Sequence, residues 1–347
     1  MNSGPRIDPF FLDVRDFRRP LLTWYEANAR RLPWRESRDP YRVWVSEIML
    51  QQTRVAAVIE HYHEFLRRFP NVEKLAKARE ASVLATWSGL GYYRRARMLH
   101  AAAQVITREH NGNFPRTAEL LQELPGIGRY TAAAVASIAF GEPVAVVDGN
   151  VERVLYRLSG KKLTQEQLWN AAQRLLDAKR PGDFNQSMME LGATVCTPRA
   201  PACRTCPVVD LCATRGETAA TKSVPQKKRE IHYSLICRDN NSHGAQVFLV
   251  RRPQDAALMA GMWELPEMLS REGVAEELFV LRHSITVTDY TVHLWRGPSP
   301  GQLNGKWVTH DKLAGVALTG LARKILRKAG ILTRPAAMRR ASPAAIV

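Results

Sequence analysis

Four cysteines, Cys196, Cys203, Cys206 and Cys212, stand in 17 consecutive residues, separated by six, two and five others, in a chain with only five cysteines. The run C-T-P-R-A-P-A-C-R-T-C-P-V-V-D-L-C is short and rich in turn formers, so it cannot bury a core of its own. Four thiolates converging in one loop suit a tetrahedral zinc ion or a [4Fe–4S] cluster. The spacing leaves those two open. Disulfides belong to small secreted chains, and residues 1–10 hold no apolar signal segment, so the expected setting is reducing and cytoplasmic.

Two carboxylates carry a second kind of chemistry. Glu47 stands among Trp44, Val45, Ile48, Met49 and Leu50, a setting that would raise its pKa if it is buried. Asp148 follows the apolar run Val144 to Val147 and precedes the helix expected from Val151, which makes it a helix cap held ionised by the local dipole. One carboxyl pushed up and one pushed down is the pairing of an acid with a stabiliser of a sugar cation, as in glycoside cleavage. Between them in sequence lies Leu124-Pro125-Gly126-Ile127-Gly128-Arg129-Tyr130-Thr131. A Pro-Gly-x-Gly turn bends tightly, and the helix after it offers unpaired N–H groups to a phosphate. This reads as a helix–hairpin–helix, with Gly126, Gly128 and Arg129 against a nucleic-acid backbone.

The elements needed to position these groups are mostly helical up to residue 216. Apolar stripes at helical spacing run through Val55, Val58, Ile59, Tyr62, Phe65, Leu66 and Phe69 after a start at Ser46, through Met98 to Ile106, and through Val151 to Leu158. A further helix is expected from Thr164 to Arg180. Residues 217–230 lose periodicity and gain charge, which marks a linker. Strand-like runs follow at Ile231 to Arg238, Gln246 to Arg252, Phe279 to His283, Thr286 to Trp295 and Lys306 to Thr309, then a helix from Leu318 to Lys328. Residues 333–347, rich in Ala, Pro and Arg, read as a disordered tail. A net charge of +17 and a pI near 10.0 point to nucleic acid as the partner. No stretch is apolar enough to span a membrane, so no membrane association is expected.

Together these residues resemble the adenine-DNA glycosylases of the MutY type, in the helix–hairpin–helix glycosylase superfamily. The resemblance runs from about Leu21 to Arg215, through Leu32-Pro33-Trp34-Arg35, Ser46-Glu47-Ile48-Met49-Leu50-Gln51-Gln52-Thr53, Gly89-Leu90-Gly91-Tyr92-Tyr93, the hairpin, Asp148-Gly149-Asn150-Val151 and the four cysteines. It implies a mostly α protein with a six-helix barrel (31–141) and a [4Fe–4S] cluster domain (142–216). An N-terminal segment (1–30) would pack on the cluster domain, and 231–332 would form an α+β Nudix-like lesion-recognition domain. The implied cofactor is the cluster held by Cys196, Cys203, Cys206 and Cys212. The implied partner is double-stranded DNA with adenine opposite 8-oxoguanine or guanine, bound by a monomer that follows DNA to the nucleoid.

Residue by residue, the resemblance makes Glu47 the acid that protonates adenine and Asp148 the carboxylate that stabilises the sugar cation, with Tyr130 and Asn150 orienting the pair. Leu32, Trp34, Arg35, Leu50, Thr53 and Glu190 correspond to the adenine pocket, and Gln52 and Tyr92 to side chains that wedge into the base stack. The Nudix-like part matches through Ala260-Gly261-Met262-Trp263-Glu264-Leu265-Pro266, without a catalytic Nudix box. The family's Phe-Ser-His reading triplet is replaced by Ile285-Thr286-Val287, so Thr286 is the expected reader of the lesion. A sibling of the endonuclease III type, which excises oxidised pyrimidines and nicks the strand, would carry lysine where Tyr130 stands. A non-catalytic cluster protein would not need both Glu47 and Asp148. The nine histidines have no ligand spacing, and Cys237 reads as a small buried hydrophobe in a strand.

Overall fold

The structure, a computed structural model, describes residues 14–216, 227–240, 244–256, 258–268, 276–285, 288–297 and 299–332. The expected tail 333–347, Thr286 and most of the expected linker lie outside these residues. Residues 227–230, expected as linker, are already strand. By contact density the described chain forms two units, one of residues 14–62, 71–76 and 101–216, the other of 63–70, 77–100 and 227–332.

The first unit is helical. It contains α1 (Val14–Asn28), α2 (Pro40–Leu50), α4 (Val72–Ala76), α7 (Ala118–Gln122), α8 (Arg129–Phe140), α9 (Gly149–Ser159), α10 (Gln165–Leu175) and α11 (Pro181–Thr194). Helices α3 (Val55–Arg68) and α6 (Tyr93–Glu109) contribute residues to both units. At its centre is α8, where the buried run Ala132 to Ala136 lets α2, α7 and α11 approach closely. On α11, Gly182 meets the α8 backbone so tightly that a Cβ would fall 2.8 Å from the Ser137 carbonyl oxygen.

Local chemistry sets the helix limits. α2 begins at Pro40 rather than at the expected Ser46, because Asp39 caps it by accepting from the Arg42 N–H at 2.8 Å. It stops at Leu50 because Gln52 adopts a left-handed φ of 54°, so the stripe expected from Ser46 to Phe69 is two helices. The helix expected from Thr164 to Arg180 ends at Leu175, and Pro181, suited to a first helical position, starts the next one.

Ahead of Asp148, Val144 to Val147 is extended without a partner strand. Side chains replace the missing ladder: Asn185 donates to the Val144 carbonyl (2.9 Å) and accepts from the Val146 N–H (3.2 Å), while Gln173 accepts from the Ala145 N–H (2.9 Å). Buried backbone groups need such partners, and here they fix the path that delivers Asp148.

The second unit holds α5 (Glu80–Trp87), two sheets and α12 (Gly320–Lys328). β1 (Lys227–Leu235) pairs in parallel with β6 (Thr288–Arg296), which pairs antiparallel with β5 (Glu277–Ile285). β3 (Gly244–Arg251) pairs antiparallel with β2 (Cys237–Asn240), β4 (Trp263–Glu264) and β7 (Gly305–Thr309). Leu249, Leu265, Val292 and Leu294 from the sheets and Leu318, Ile325 and Leu326 beside them build its core. The single strand expected from Ile231 to Arg238 is interrupted at Ile236 and shared between the two sheets. Cys237 is exposed rather than buried, since at the start of β2 it pairs at the sheet margin. No described helix is long and apolar enough to cross a membrane.

Candidate active site

One cavity of about 710 Å³ in the helical unit gathers residues from the loop before α2, from α2, from the hairpin, from the start of α9 and from the later turns of α11. Leu32, Trp34 and Arg35 line it from the loop, and Glu47, Leu50, Gln52 and Thr53 from α2 and the turn after it. Gly128, Arg129 and Tyr130 face it from the hairpin, and Asp148, Asn150 and Glu190 close the remaining side.

Glu47 is 6% exposed and accepts a 2.7 Å hydrogen bond from the Tyr130 hydroxyl. The two residues are 83 apart in sequence, and the packing of α2 on α8 joins them. Burial pushes the Glu47 carboxyl from 4.5 up to about 7; the Tyr130 hydroxyl pulls it down, the Asp148 charge pushes it up, and Arg35 opposes. The Tyr130 phenol is itself driven well above its ordinary range by burial and by both carboxylates. It stays a neutral donor.

Asp148 caps α9. Its carboxylate accepts from the Asn150 and Val151 N–H groups at 2.9 and 2.8 Å, and from the Asn150 side-chain amide at 2.9 Å. The depressed pKa expected from the cap is not found: burial raises the carboxyl, and these hydrogen bonds with Arg153 only offset part of the rise. The enclosure of this carboxylate removes the water that would otherwise solvate it.

Behind the cavity, Glu190 is fully enclosed. Burial pushes its carboxyl up, but hydrogen bonds from Arg30 and Arg35 more than compensate and bring it to about 2. Arg30 grips both oxygens at 2.7 and 2.8 Å and Arg35 adds a third contact at 2.8 Å. This holds the Arg35 guanidinium at the cavity wall. Trp34 packs edge-on against Tyr62 at 5.5 Å.

Gln52 and Tyr92 share an unusual backbone. Each is a non-glycine residue with positive φ, 54° and 47°, a strained state that clusters at functional sites. Tyr92 belongs to the other unit and is 47% exposed. At Gly126, φ of 75° gives the hairpin the turn that glycine permits.

The four cysteines are all half-buried thiols without disulfide partners. Burial pushes the Cys206 thiol up to about 11, with Cys196, Cys212 and Cys203 adding to the rise, so the four lie within one another's electrostatic field. The buried Arg157 of α9 donates to the Cys196 sulfur at 3.2 Å and to the Thr197 carbonyl at 2.8 Å. Among the described residues no group of three or more His, Cys, Asp or Glu is drawn close enough to hold a metal ion. The donor set, four soft sulfurs with a fixed guanidinium beside one of them, suits a zinc ion or an iron–sulfur cluster, either of which would be anionic with four thiolates.

Residues 45–177 match the family model described as HhH-GPD superfamily base excision DNA repair protein. An adenine DNA glycosylase of Homo sapiens is 38% identical over 356 residues, covering 83% of this chain and 62% of the human protein's length. That of Mus musculus is 36% identical over 402 residues, covering 91% of this chain and 78% of the relative. The chain belongs to the adenine DNA glycosylase family. Among solved structures, a thermostable thymine-DNA glycosylase is 32% identical with a TM-score of 0.55, covering 58% of this chain and 96% of the other. A trapped endonuclease III–DNA covalent intermediate, 24% identical with a TM-score of 0.51 over 59% of this chain and 98% of the other, shares the fold.

Several residues around this cavity escape sequence reading. Arg30 is the main clamp on Glu190. Gln51 reaches Thr131 on α8 at 3.1 Å and lines the cavity. Arg153 donates to the Asn150 side-chain oxygen (2.7 Å) and the Gly192 and Cys196 carbonyls (2.7 and 2.8 Å), tying the Asp148 cap to the cysteine loop. Gly192 leaves room for Asn150, whose Cβ would lie 2.6 Å from an added Cβ. An arginine five places after a cap and a glycine inside a helix are weak signals alone. Thr286 lies outside the described residues.

Proposed function

We propose that the protein hydrolyses the N-glycosidic bond of adenine mispaired with 8-oxoguanine or guanine and releases the base without cutting the strand. The observation that carries this reading is the hydrogen bond from Tyr130 to a Glu47 carboxyl poised near neutral pH, in one cavity with the capped Asp148. Protonated Glu47 gives its proton to a ring nitrogen of adenine, which weakens the bond to C1′ and lets the base depart neutral. Ionised Asp148 opposes the charge that develops on the sugar, held in place by two backbone N–H groups and Asn150. Water then adds to C1′ and yields its proton, restoring the acid. With tyrosine rather than lysine at 130, the site has no amine for a Schiff base, so the strand stays intact.

Leu32, Trp34, Arg35, Leu50, Thr53 and Glu190 would enclose the flipped adenine. Gln52 and Tyr92, strained and presented, would wedge the stack, and Gly126, Gly128 and Arg129 would hold the backbone at the start of α8. Cys196, Cys203, Cys206 and Cys212 would hold a [4Fe–4S] cluster, which would order the loop that carries the positive charges of Arg199 and Arg204 rather than supply a chemical step. The sheet unit would act as a Nudix-like reader of the opposite base, through Thr286. The test incubates purified protein with duplexes carrying adenine opposite 8-oxoguanine, adenine opposite guanine, or thymine glycol, and scores abasic sites and nicks separately. Abasic sites on the adenine duplexes without nicks support the reading; nicks at thymine glycol would overturn it.

A further inference from the structure

The second unit carries a group of cations that the reading above does not use. On α12, Arg323, Lys324, Arg327 and Lys328 line a cavity of about 720 Å³ with His283 of β5 and Gly89. None of the described lining residues is acidic. Lys324 and Lys328 are not loose: their ammonium groups donate to the Arg282 and Val280 carbonyls of β5 at 2.6 and 2.9 Å. Each keeps further N–H groups for another acceptor.

Arg323 is only 9% exposed. Its Nε donates to the Ser88 hydroxyl at 2.7 Å, while one terminal nitrogen is buried without a hydrogen-bond partner. Burial and the neighbouring Arg327 lower this guanidinium to about 10, and burial and Lys324 lower His283. Positive groups collected without a carboxylate are a costly arrangement unless an anion completes them. The unsatisfied nitrogen needs an acceptor.

We propose that this cavity binds a phosphodiester group of DNA, on the strand opposite the adenine. The strand assignment rests on the functional reading above. Gly89 belongs to the loop that carries Tyr92, and His283 lies on the strand that leads to Thr286, the two segments assigned there to the lesion. One backbone phosphate held between those segments would fix the register in which both engage it, since phosphate contacts position while base contacts specify.

The test uses the full chain with its cluster and the double variant Lys324→Gln/Lys328→Gln. Both side chains are exposed, so folding should survive, checked by thermal unfolding. A control of equal charge, Lys77→Gln/Lys312→Gln, removes two exposed lysines elsewhere. Affinity for the duplex is measured against salt, and binding is repeated with a neutral methylphosphonate at each linkage of the lesion strand in turn. The site variant should lower the slope of log affinity against log salt by about 1, at ~0.9 per phosphate no longer neutralised, with base release at saturating enzyme unchanged. One or two methylphosphonate positions should weaken the unaltered protein and not the variant.

Equal loss of slope in the control, or no linkage whose effect disappears in the variant, overturns the site. Binding of inorganic phosphate that the variant loses, without any such linkage, makes it a free-anion site and overturns the DNA assignment. If the unaltered protein binds the duplex but releases no adenine, the catalytic reading fails while this test still decides the cavity.

Discussion

Glu47→Gln separates the chemistry of the buried carboxyl from what it costs the fold. The amide keeps the shape and can still accept from Tyr130, but it cannot donate an acidic proton. General acid catalysis is worth ~10²–10⁴-fold, so single-turnover adenine release should fall by about that factor while binding of the lesion duplex persists. Stability should move the other way. A carboxyl raised from 4.5 to about 7 contributes stability that is full below 4.5 and lost as pH rises through 7. Above that pH the buried charge costs ~3 kcal/mol, at ~1.4 kcal/mol per pH unit. Glutamine carries no such cost. The variant should therefore match the parent near pH 4.5 and exceed it at pH 8, with a gain in Tm of about 6–12 °C at ~2–4 °C per kcal/mol. Thermal unfolding at pH 5, 7 and 8, beside single-turnover release, checks both arms. A gain that does not grow with pH would refute burial as the cause of the raised pKa. Activity within tenfold of the parent would remove Glu47 from the acid role.

Tyr130→Phe deletes the hydrogen bond that holds the Glu47 pKa down, so the alkaline limb of the rate profile should move to higher pH; an unmoved limb means another group sets it. Gly192→Ala places a Cβ 2.6 Å from that of Asn150 and should cost ~1–3 kcal/mol by overpacking. It should also slow base release more than it weakens DNA binding; equal effects would deny Asn150 a role in orienting Asp148. Glu190→Gln removes a carboxylate whose pKa of about 2 lends stability above 4.5 that is lost as pH falls through 2. The variant should be less stable at pH 7 and lose less on acidification, as acid titration followed by circular dichroism would report. The purified protein should be brown, with about four irons per chain; a colourless preparation with one zinc would reject the cluster.

Sequence alone determined the types of chemistry and much of the element order. Glu47, Asp148, Tyr130 and the cysteine run are each legible because a carboxyl in an apolar run, a carboxyl ahead of a helix, a Pro-Gly-x-Gly turn and closely spaced thiols are local patterns. The second unit's strands were legible from alternation, though not the break at Ile236 or the exposure of Cys237. What periodicity could not settle were the ends of helices: Gln52, with its left-handed φ, and Leu176, with its extended ψ, end helices through backbone conformation, which an apolar pattern does not encode. Tertiary structure alone decided the electrostatics. The cap on Asp148 suggested a lowered pKa from local dipoles, but the direction follows from burial, a sum over residues brought together by the fold. The same holds for Arg30 on Glu190, Arg153 between Asn150 and the cysteine loop, and Gly192 beside Asn150. Their roles depend on which helices meet, because desolvation and close contact act through space rather than along the chain.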